Sequence, residues 1–460
     1  MNPRQSVSRP PLVNGFIDVP RIVKEGRVGE FFPGLLPNIE DIRKRDFPLF
    51  ERDRRVYLDS GATSQEPVAV IERMHEHRLS HLRGSNHSRN TTEARRAQEE
   101  YDAAKEKISA FFHAHNYHVA FTSGTTGTSN LLATRFAYGR DTLVLATEAE
   151  HNSQIVTARN FAGAAGVKFA IIPVTRDGAL DLNVLRDVVM RFDGPILLNL
   201  VHASNVTGTV NNVQRIRELV GDRVLIYLDM AQSAGHIPID LDRLDVDFAG
   251  VSAHKMYGPT GIGAFFISGS GEEYLTNLVS GGGAVQLVSM HETAYSRSPD
   301  RFEPGTQNLE GAVEWGFALD YLSAIGMDRI AAHDEELGKY FGNELEKIPG
   351  IVMHSPAGYM GRIPIFVFNS RDLRYDAFAR ALDQEGISVR DGCFCAHILM
   401  SRFLGKPPEF MDMMAMMLGT VGGDQSMLPG AVRASFAFYN NISDAHRAIL
   451  AINQIAESHW

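Results

Sequence analysis

The sequence predicts an α/β protein in which a large domain with a mostly parallel central sheet is followed by a smaller α+β domain. Between residues 119 and about 279, short apolar runs alternate with stretches of helical character, which is typical of a parallel sheet with crossover helices. A long segment with helical spacing, 311–348, comes next, and two strand-like runs, "IPIFVFNS" and "AVRASFAFYN", follow it. We therefore expect a large domain over 55–310 and a small C-terminal domain over 311–460.

The elements can be assigned in chain order. Residues 1–54 are rich in proline and arginine and show little periodicity, so we expect an arm or a cover over the core. The stretch "VYLDSGATS" (56–64) predicts a strand that runs into a turn. Residues 66–112 predict two helices, because apolar residues recur at helical spacing. The predicted strands of the large sheet are "HVAFTS", "DTLVLAT", "VKFAIIPV", "GPILLNLVHAS", "RVLIYLDMAQS", "DFAGVSA" and "GAFFIS".

Composition argues against several classes of protein. The chain has 460 residues and a net charge of −10, which disfavours a nucleic-acid binder because phosphate backbones are held by surplus Lys and Arg. No apolar run approaches the ~20 residues of a membrane span, and the N-terminus lacks the apolar core of a secretory signal. The two cysteines are separated by one residue, so a disulfide framework is not expected and a reducing cytoplasm is.

Polar residues follow the ends of the predicted strands, where ligands bind in open parallel sheets. They are Glu150, His151, Asn205, Asp229, Gln232, Ser252, His254 and Lys255, together with the turn "SGTTG" before a helix, which could hold a phosphate. Lys255 stands in "VSAHKMYGPTGIGAFF" between apolar residues, so it is expected to be either paired or chemically modified. Each signal alone also fits a turn, a helix cap or a solvated surface. Their shared place at strand ends favours one site.

An amine, a carboxylate, an imidazole and a phosphate-binding turn together suit pyridoxal 5'-phosphate (PLP). Lys255 would form a Schiff base with the cofactor aldehyde, which removes the charge of a buried amine. Asp229 would keep the ring nitrogen protonated, so that the ring can accept electrons.

A resemblance to a known family rests on several stretches that follow one another in order. They are "VYLDSGATS", "FTSGTTGTSN", "EHNSQIV", "HASNVTGT", "LDMAQS", "SAHKMYGPTGIG", "RFEPGTQN", "VRDGCFCAH" and "VRASFAFYN". From about residue 55 onward the chain resembles the class V aminotransferases, which are PLP-dependent enzymes of fold type I. It is most similar to their cysteine desulfurase and selenocysteine lyase branch.

The resemblance implies roles for individual residues. Lys255 would carry PLP, His151 would stack on its ring, Asp229 would pair with the pyridine nitrogen and Gln232 would bond the phenolic oxygen. The residues implied to bind the phosphate are Thr125, Thr126, Ser252, His254 and, from the neighbouring subunit, Thr306. The residues implied to face a small amino-acid substrate are His87, Asn205, Arg390 and Arg433, although His87 matches loosely and Arg390 could instead brace the cysteine loop. A shared site implies a homodimer.

Cys395 occupies the place of the branch's persulfide-forming cysteine, which implies a desulfurase that converts L-cysteine to L-alanine and passes the sulfur to an acceptor protein. A cysteine that simply packs is the alternative for Cys395. Cys393 could resolve the persulfide, relay it or do neither. A metal centre at Cys-x-Cys-Ala-His is not expected, because no second ligand pair exists.

Two departures leave other functions open. Cys393 and Phe394 stand where the branch usually has histidines, and the segment 405–430 is an insert whose "MDMMAMM" run predicts a packed or lid helix, with a sulfur-acceptor site as the alternative. A PLP-dependent decarboxylase, lyase or transaminase acting on another small amino acid is therefore the second hypothesis, and a non-catalytic scaffold the third. His77 and His81 have helical ligand spacing, but without a carboxylate or cysteine that completes a ligand set they are interpreted as surface or cap residues.

Overall fold

The computed structural model describes residues 9–85, 90–175, 178–277, 280–356, 358–359, 361–421 and 428–458, and His87 lies outside them. The strands are β1 Leu12–Val13, β2 Phe16–Ile17, β3 Val56–Tyr57, β4 Tyr117–Thr122, β5 Leu143–Thr147, β6 Lys168–Ile172, β7 Ile196–Val201, β8 Val224–Asp229, β9 Phe248–Ser252, β10 Gly263–Ser268, β11 Val285–Val288, β12 Thr293–Tyr295, β13 Ile351–Met353, β14 Ile365–Ser370, β15 Ile387–Ser388, β16 Arg390–Gly392 and β17 Ala431–Ser435. The helices are α1 Val19–Lys24, α2 Val28–Phe31, α3 Ile39–Asp46, α4 Leu49–Asp53, α5 Val68–Ser80, α6 Thr92–Phe111, α7 Thr125–Arg135, α8 Asn152–Ala165, α9 Leu182–Arg191, α10 Val213–Val220, α11 Leu241–Leu244, α12 Gly269–Glu272, α13 Leu309–Ile325, α14 Met327–Leu345, α15 Tyr375–Gln384, α16 His397–Phe403, α17 Pro408–Val421 and α18 Ile442–Glu457.

The central sheet has the strand order β4-β10-β9-β8-β7-β5-β6, and these are the predicted apolar runs. Strands β9, β8, β7, β5 and β6 pair in parallel. Every residue of β5, β7, β8 and β9 is buried, as expected where helices cover both faces of a sheet. The predicted α/β fold with a mostly parallel sheet is therefore confirmed.

Strand β10 is the exception, because it pairs antiparallel with both β4 and β9. It follows β9 after residues 253–262, which include only a short 3₁₀ helix, Ala253–Lys255. A parallel return would need a longer crossover. Strand β4, on the far side of β10, again points the same way as β9. The carboxyl ends of β4, β5, β7, β8 and β9 therefore meet at one edge of the sheet.

A second, antiparallel sheet has the order β13-β14-β17-β16 and contains the two predicted C-terminal strands. Its core joins Phe366 and Val432 of this sheet to Phe341 of α14, Leu382 of α15 and Ile449 of α18. The predicted long helical region divides into α13 and α14 at Gly326, whose φ of +96° favours glycine. Helix α17 occupies the part of the insert that contains "MDMMAMM".

Residues 9–54 form short helices and a two-stranded hairpin that contact both cores. Phe16, Val19, Ile22 and Phe32 pack with the C-terminal sheet, whereas Leu36, Ile39, Ile42 and Phe47 pack with the central sheet. Arg43 is buried and donates to the buried Asp444 carboxylate at the start of α18, with an N–O distance of 2.7 Å. Residues 9–54 are thus part of the folded core. The domain limits at 54 and 310 stay a prediction.

In the described ranges, no helix combines the length and the apolarity that crossing a bilayer requires.

Candidate active site

A cavity of about 250 Å³ lies at the edge of the central sheet where the parallel strands end. The loops after β4, β5, β7, β8 and β9 all reach it. The predicted residues that line it are Thr125, Thr126, His151, Asn205, Asp229, Gln232, Ser252, His254, Lys255, Arg390, Cys395 and Arg433. The direction of the parallel strands brings most of these polar residues together, and the C-terminal part of the chain adds Arg390, Cys395 and Arg433.

Two described residues, Thr306 and Glu150, do not line this cavity. Thr306 is exposed and lines a second cavity beside His77 and His81. Glu150 is fully buried behind the site, where its Oε1 accepts from the Thr147 hydroxyl at 2.7 Å and from the Val201 backbone N–H at 2.8 Å. His87 lies outside the described residues.

Lys255 stands at the end of the 3₁₀ helix that follows β9, so its amine enters the cavity from the sheet edge. Burial lowers the pKa of this amine to about 8, and the Asp229 carboxylate opposes that shift. Arg433 and Arg390 lower the same pKa by repulsion. A measurable fraction of the amine is therefore uncharged near neutral pH, as a nucleophile or a base requires.

Asp229 is the last residue of β8 and is only 3% exposed. Its Oδ2 accepts from Gln154 Nε2 at 3.1 Å and its Oδ1 accepts from the Ala231 backbone N–H at 2.9 Å. Burial raises the pKa of this carboxyl, while these two hydrogen bonds act in the opposite direction. The carboxylate is consequently fixed in position and ready for a cationic partner.

His151 caps helix α8, because its Nδ1 accepts from the Ser153 backbone N–H at 3.2 Å and lies 2.8 Å from the Ser153 hydroxyl. Burial, followed by repulsion from Lys255, lowers the pKa of His151 to about 4. The imidazole is therefore neutral at pH 7, and its Nδ1 is occupied as an acceptor. A neutral ring in a fixed orientation can stack on a planar ligand.

The first turn of α7 faces the cavity with its backbone N–H groups. Thr125 donates its backbone N–H to Ser252 Oγ at 2.8 Å, and the two hydroxyl oxygens lie 2.7 Å apart. Gly124 precedes the helix with φ +127°, and a Cβ there would approach Ser252 Oγ to 3.1 Å. The helix N-terminus and these hydroxyls form an anion site of the kind that binds phosphate.

Arg433 of β17 reaches the cavity from the C-terminal sheet and is 2% exposed. Its guanidinium donates to Asp59 Oδ1 at 3.0 Å and to the Asn205 carbonyl at 3.1 Å. Arg390, which is largely exposed, lies 3.8 Å from the other Asp59 oxygen. Asp59 thus pairs with the buried Arg433 at the cavity wall and with the exposed Arg390 at the rim, where both can bind an anionic group.

Cys395 lies on a tight loop in which it and Phe394 both have φ near +54°. Asn205 Nδ2 donates to the Phe394 carbonyl at 2.6 Å, and the Asn152 backbone N–H donates to the Cys395 carbonyl at 2.6 Å. The Cys395 side chain is exposed and lines the cavity. Cys393 is buried instead, and its thiol donates to the Pro429 carbonyl at 2.8 Å. Burial raises the pKa of the Cys393 thiol to about 11, which keeps it protonated.

Sequence reasoning missed several residues of this site. Gly61, Ala62, Ser153 and Phe394 also line the cavity, and Gln154 holds Asp229 from behind. Gln154 stands three residues after His151, in the run "EHNSQ". Its closeness to a predicted site residue was therefore visible in the sequence. Nothing in the sequence indicated a role for Asp59, because its partner Arg433 is 374 residues away.

Comparison with known proteins places this geometry in a family. The family model described as "Aminotransferase class-V" matches residues 56–447. A probable cysteine desulfurase of Halalkalibacterium halodurans is 33% identical over 418 residues, which cover 88% of this chain and 95% of the relative. A cysteine desulfurase of Dickeya dadantii is 32% identical over 427 residues, covering 90% of this chain and 95% of the relative.

Solved structures give the same result at the level of the fold. The apo structure of a cysteine desulfurase from Thermococcus onnurineus superposes with a TM-score of 0.80 at 27% identity, covering 91% of this chain and 98% of the other. An Escherichia coli cysteine desulfurase crystallised in an S-sulfonic acid form gives a TM-score of 0.78 at 27% identity, covering 92% of this chain and 99% of the other.

The predicted resemblance is thereby confirmed over most of the length of the chain. The chain belongs to the class V aminotransferase family, whose members depend on PLP.

Proposed function

We propose that this protein is a PLP-dependent cysteine desulfurase. It removes sulfur from L-cysteine, gives L-alanine and receives the sulfur as a persulfide on Cys395. The observation that supports this proposal best is the pairing of two groups in one cavity, since the exposed Cys395 thiol and the Lys255 amine both line it. In the net step one thiol and one L-cysteine become one persulfide and one L-alanine, so no external oxidant is needed.

The donor set fits PLP group by group. Lys255 would hold the aldehyde carbon, Asp229 the pyridine nitrogen, and Gln232 the phenolic oxygen. Thr125, Thr126, Ser252 and His254 would hold the phosphate, where the first turn of α7 supplies backbone donors. Bound there, the cofactor supplies an electron sink for carbanion chemistry at the amino acid.

Lys255 is proposed to move the proton at the substrate Cα through its Nζ. An amine with a pKa of about 8 releases and accepts protons readily at neutral pH, which a lysine of ordinary pKa would not. His151 is proposed to bind the cofactor ring with its neutral face, because burial keeps its pKa near 4. A charged imidazole would repel the nearby Lys255.

The substrate carboxylate is assigned to Arg433 and Asn205. Arg433 Nε is a buried donor with no hydrogen-bond partner within the described ranges, so it can donate to a carboxylate. The Asn205 side chain lines the same cavity. Arg433 is paired with Asp59, and this ion pair orients its guanidinium at the cavity wall. Arg390 is exposed at the rim and is proposed to attract the anionic substrate.

Cys395 is proposed to attack the substrate sulfur as a thiolate, forming an S–S bond while the C–S bond of the substrate breaks. Its loop is anchored by Asn152 and Asn205, so the thiol is presented to the cavity. Cys393 is proposed to take no part, because its buried thiol is committed to the Pro429 carbonyl. A reduced thiol must be maintained, which favours a reducing compartment such as the cytoplasm.

The test is turnover of L-cysteine by the purified, PLP-loaded protein with a thiol reductant. We expect L-alanine and sulfide in a one-to-one ratio, measured by amino-acid analysis and a colorimetric sulfide assay. Aspartate and other small amino acids should give neither product nor carbon dioxide. Decarboxylation or transamination of another amino acid, with L-cysteine inert, would instead establish the second hypothesis.

We also propose a homodimer with shared active sites and a protein as sulfur acceptor. Thr306 is exposed and lies outside its own chain's cavity, which suits a residue that completes the site of a partner subunit. Sedimentation should give twice the chain mass, and Thr306→Val should weaken PLP binding. A monomer that retains full PLP affinity and activity would contradict this arrangement.

A further inference from the structure

Two histidines and a glutamate meet away from the active site, where α5 ends beside α6. His77 lies on the last turn of α5, His81 directly follows that helix, and Glu100 projects from α6. One ligand atom from each of the three residues lies within 4.8 Å of the others. The two histidines alone do not complete a ligand set, and Glu100 of α6 supplies the carboxylate.

The spacing of these atoms suits one ion. His77 Nε2 and His81 Nε2 lie 3.1 Å and 3.2 Å from the same oxygen, Glu100 Oε1. In a tetrahedral site with bonds of 2.0–2.1 Å, neighbouring ligand atoms stand about 3.4 Å apart. The two imidazole rings are nearly perpendicular, with centroids 4.8 Å apart, so both nitrogens reach the carboxylate without the rings stacking.

Hydrogen bonding leaves His77 unsatisfied in this arrangement. Both ring nitrogens of His77 are buried and neither has a hydrogen-bond partner among the described residues, so its short approach to Glu100 is not a hydrogen bond. Buried polar atoms are normally satisfied. A cation bound between His77 Nε2 and Glu100 Oε1 would give each of these two atoms a partner.

The surroundings tolerate a cation. The cluster borders the cavity of about 310 Å³ that also contains Thr306, and Glu93 lines the same wall. Arg78 and Arg83, which line the same cavity, are each paired with Glu310. Arg96 of α6 is the third arginine of this wall. Two of the three arginines in the cavity wall are therefore paired with a carboxylate.

We propose that His77, His81 and Glu100 form a binding site for Zn²⁺ or a similar divalent transition-metal ion. Two imidazoles and one carboxylate are a known zinc donor set, and the fourth position would hold water from the cavity. The ion would tie the end of α5 to α6 beside Thr306.

The test is equilibrium dialysis of the PLP-loaded protein against micromolar Zn²⁺, in a Cys393→Ser/Cys395→Ser background that removes the thiols as ligands. We expect one Zn²⁺ per chain. His77→Ala and Glu100→Gln should each lower the affinity at least ~10- to 100-fold, with unchanged circular dichroism. His118→Ala is the matched control, because His118 Nε2 lies 3.2 Å from Glu272 Oε2 without a second histidine ligand.

Thermal unfolding gives a second readout. Zn²⁺ should raise the Tm of the parent and of the His118 variant but not of the His77 and Glu100 variants, and Mg²⁺, which prefers oxygen ligands, should raise none of them. Three results would each overturn the proposal: no bound Zn²⁺, undiminished Zn²⁺ affinity in His77→Ala and Glu100→Gln, or an equal loss in His118→Ala.

Discussion

Replacing Lys255 by alanine is expected to lower L-cysteine turnover by about 10²- to 10⁴-fold or more, the range found when a positioned acid–base group is lost. Lys255 is the lysine of the described chain whose amine lines the cavity with Asp229 and Cys395. Steady-state sulfide release measures the effect. Lys339→Ala is a suitable control, since that lysine sits on an exposed face of α14 paired with Glu335.

The pH dependence of cofactor uptake separates this role from a structural one. Because the pKa of Lys255 is about 8, the uncharged, reactive amine increases as the pH rises through 8. The fraction of uncharged amine rises by about tenfold between pH 7 and pH 9. We expect PLP uptake by the PLP-free protein to accelerate accordingly in stopped-flow absorbance. Uptake that does not change with pH, or a Lys255→Ala protein that retains turnover, would refute the assignment.

The second large effect is expected at Cys395. Cys395→Ser should reduce sulfide release on the order of 10³-fold or more, because a hydroxyl cannot accept the sulfur as a thiolate does. PLP binding should be unchanged, since the side chain is exposed at the cavity wall. Sulfide release and the PLP absorbance spectrum of the same sample test both statements.

Cys393→Ser is the matched control on the same loop. Serine can keep the hydrogen bond to the Pro429 carbonyl that the buried Cys393 thiol makes. We expect turnover within about twofold of the parent, as for a substitution away from the reacting atoms. Equal losses in the two variants would show that the loop, and not the Cys395 thiol, limits the reaction.

The strands of the central sheet were predictable because each is a short apolar run bounded by polar turns. The antiparallel direction of β10 was not predictable, since strand pairing depends on the path of the chain. Only the short connection, residues 253–262, indicated that β10 could run antiparallel to β9. The N-terminal helices were missed for another reason. They span four to eight residues, from Val28–Phe31 to Ile39–Asp46, which is too short for helical periodicity to register.

The residues of the candidate sites also divide into predictable and unpredictable ones. Residues that follow strands, such as Asp229 and Lys255, were predictable because parallel strands end at one edge. Asp59 and Glu100 were not predictable, since the role of each depends on contact with a residue of another element. Asp59 contacts Arg433, and Glu100 contacts His77. Such pairings are made by tertiary packing, which spacing along a chain does not encode.

The buried pair of Arg43 and Asp444 bears on how far the chain can be shortened. The family match begins at residue 56, yet a protein trimmed to that point would lose the guanidinium and keep the carboxylate at the start of α18. An orphaned charge of this kind costs about 3–5 kcal/mol. The described residues ahead of the family-model match therefore stabilise the last helix, because Arg43 supplies the counterion of its buried carboxylate.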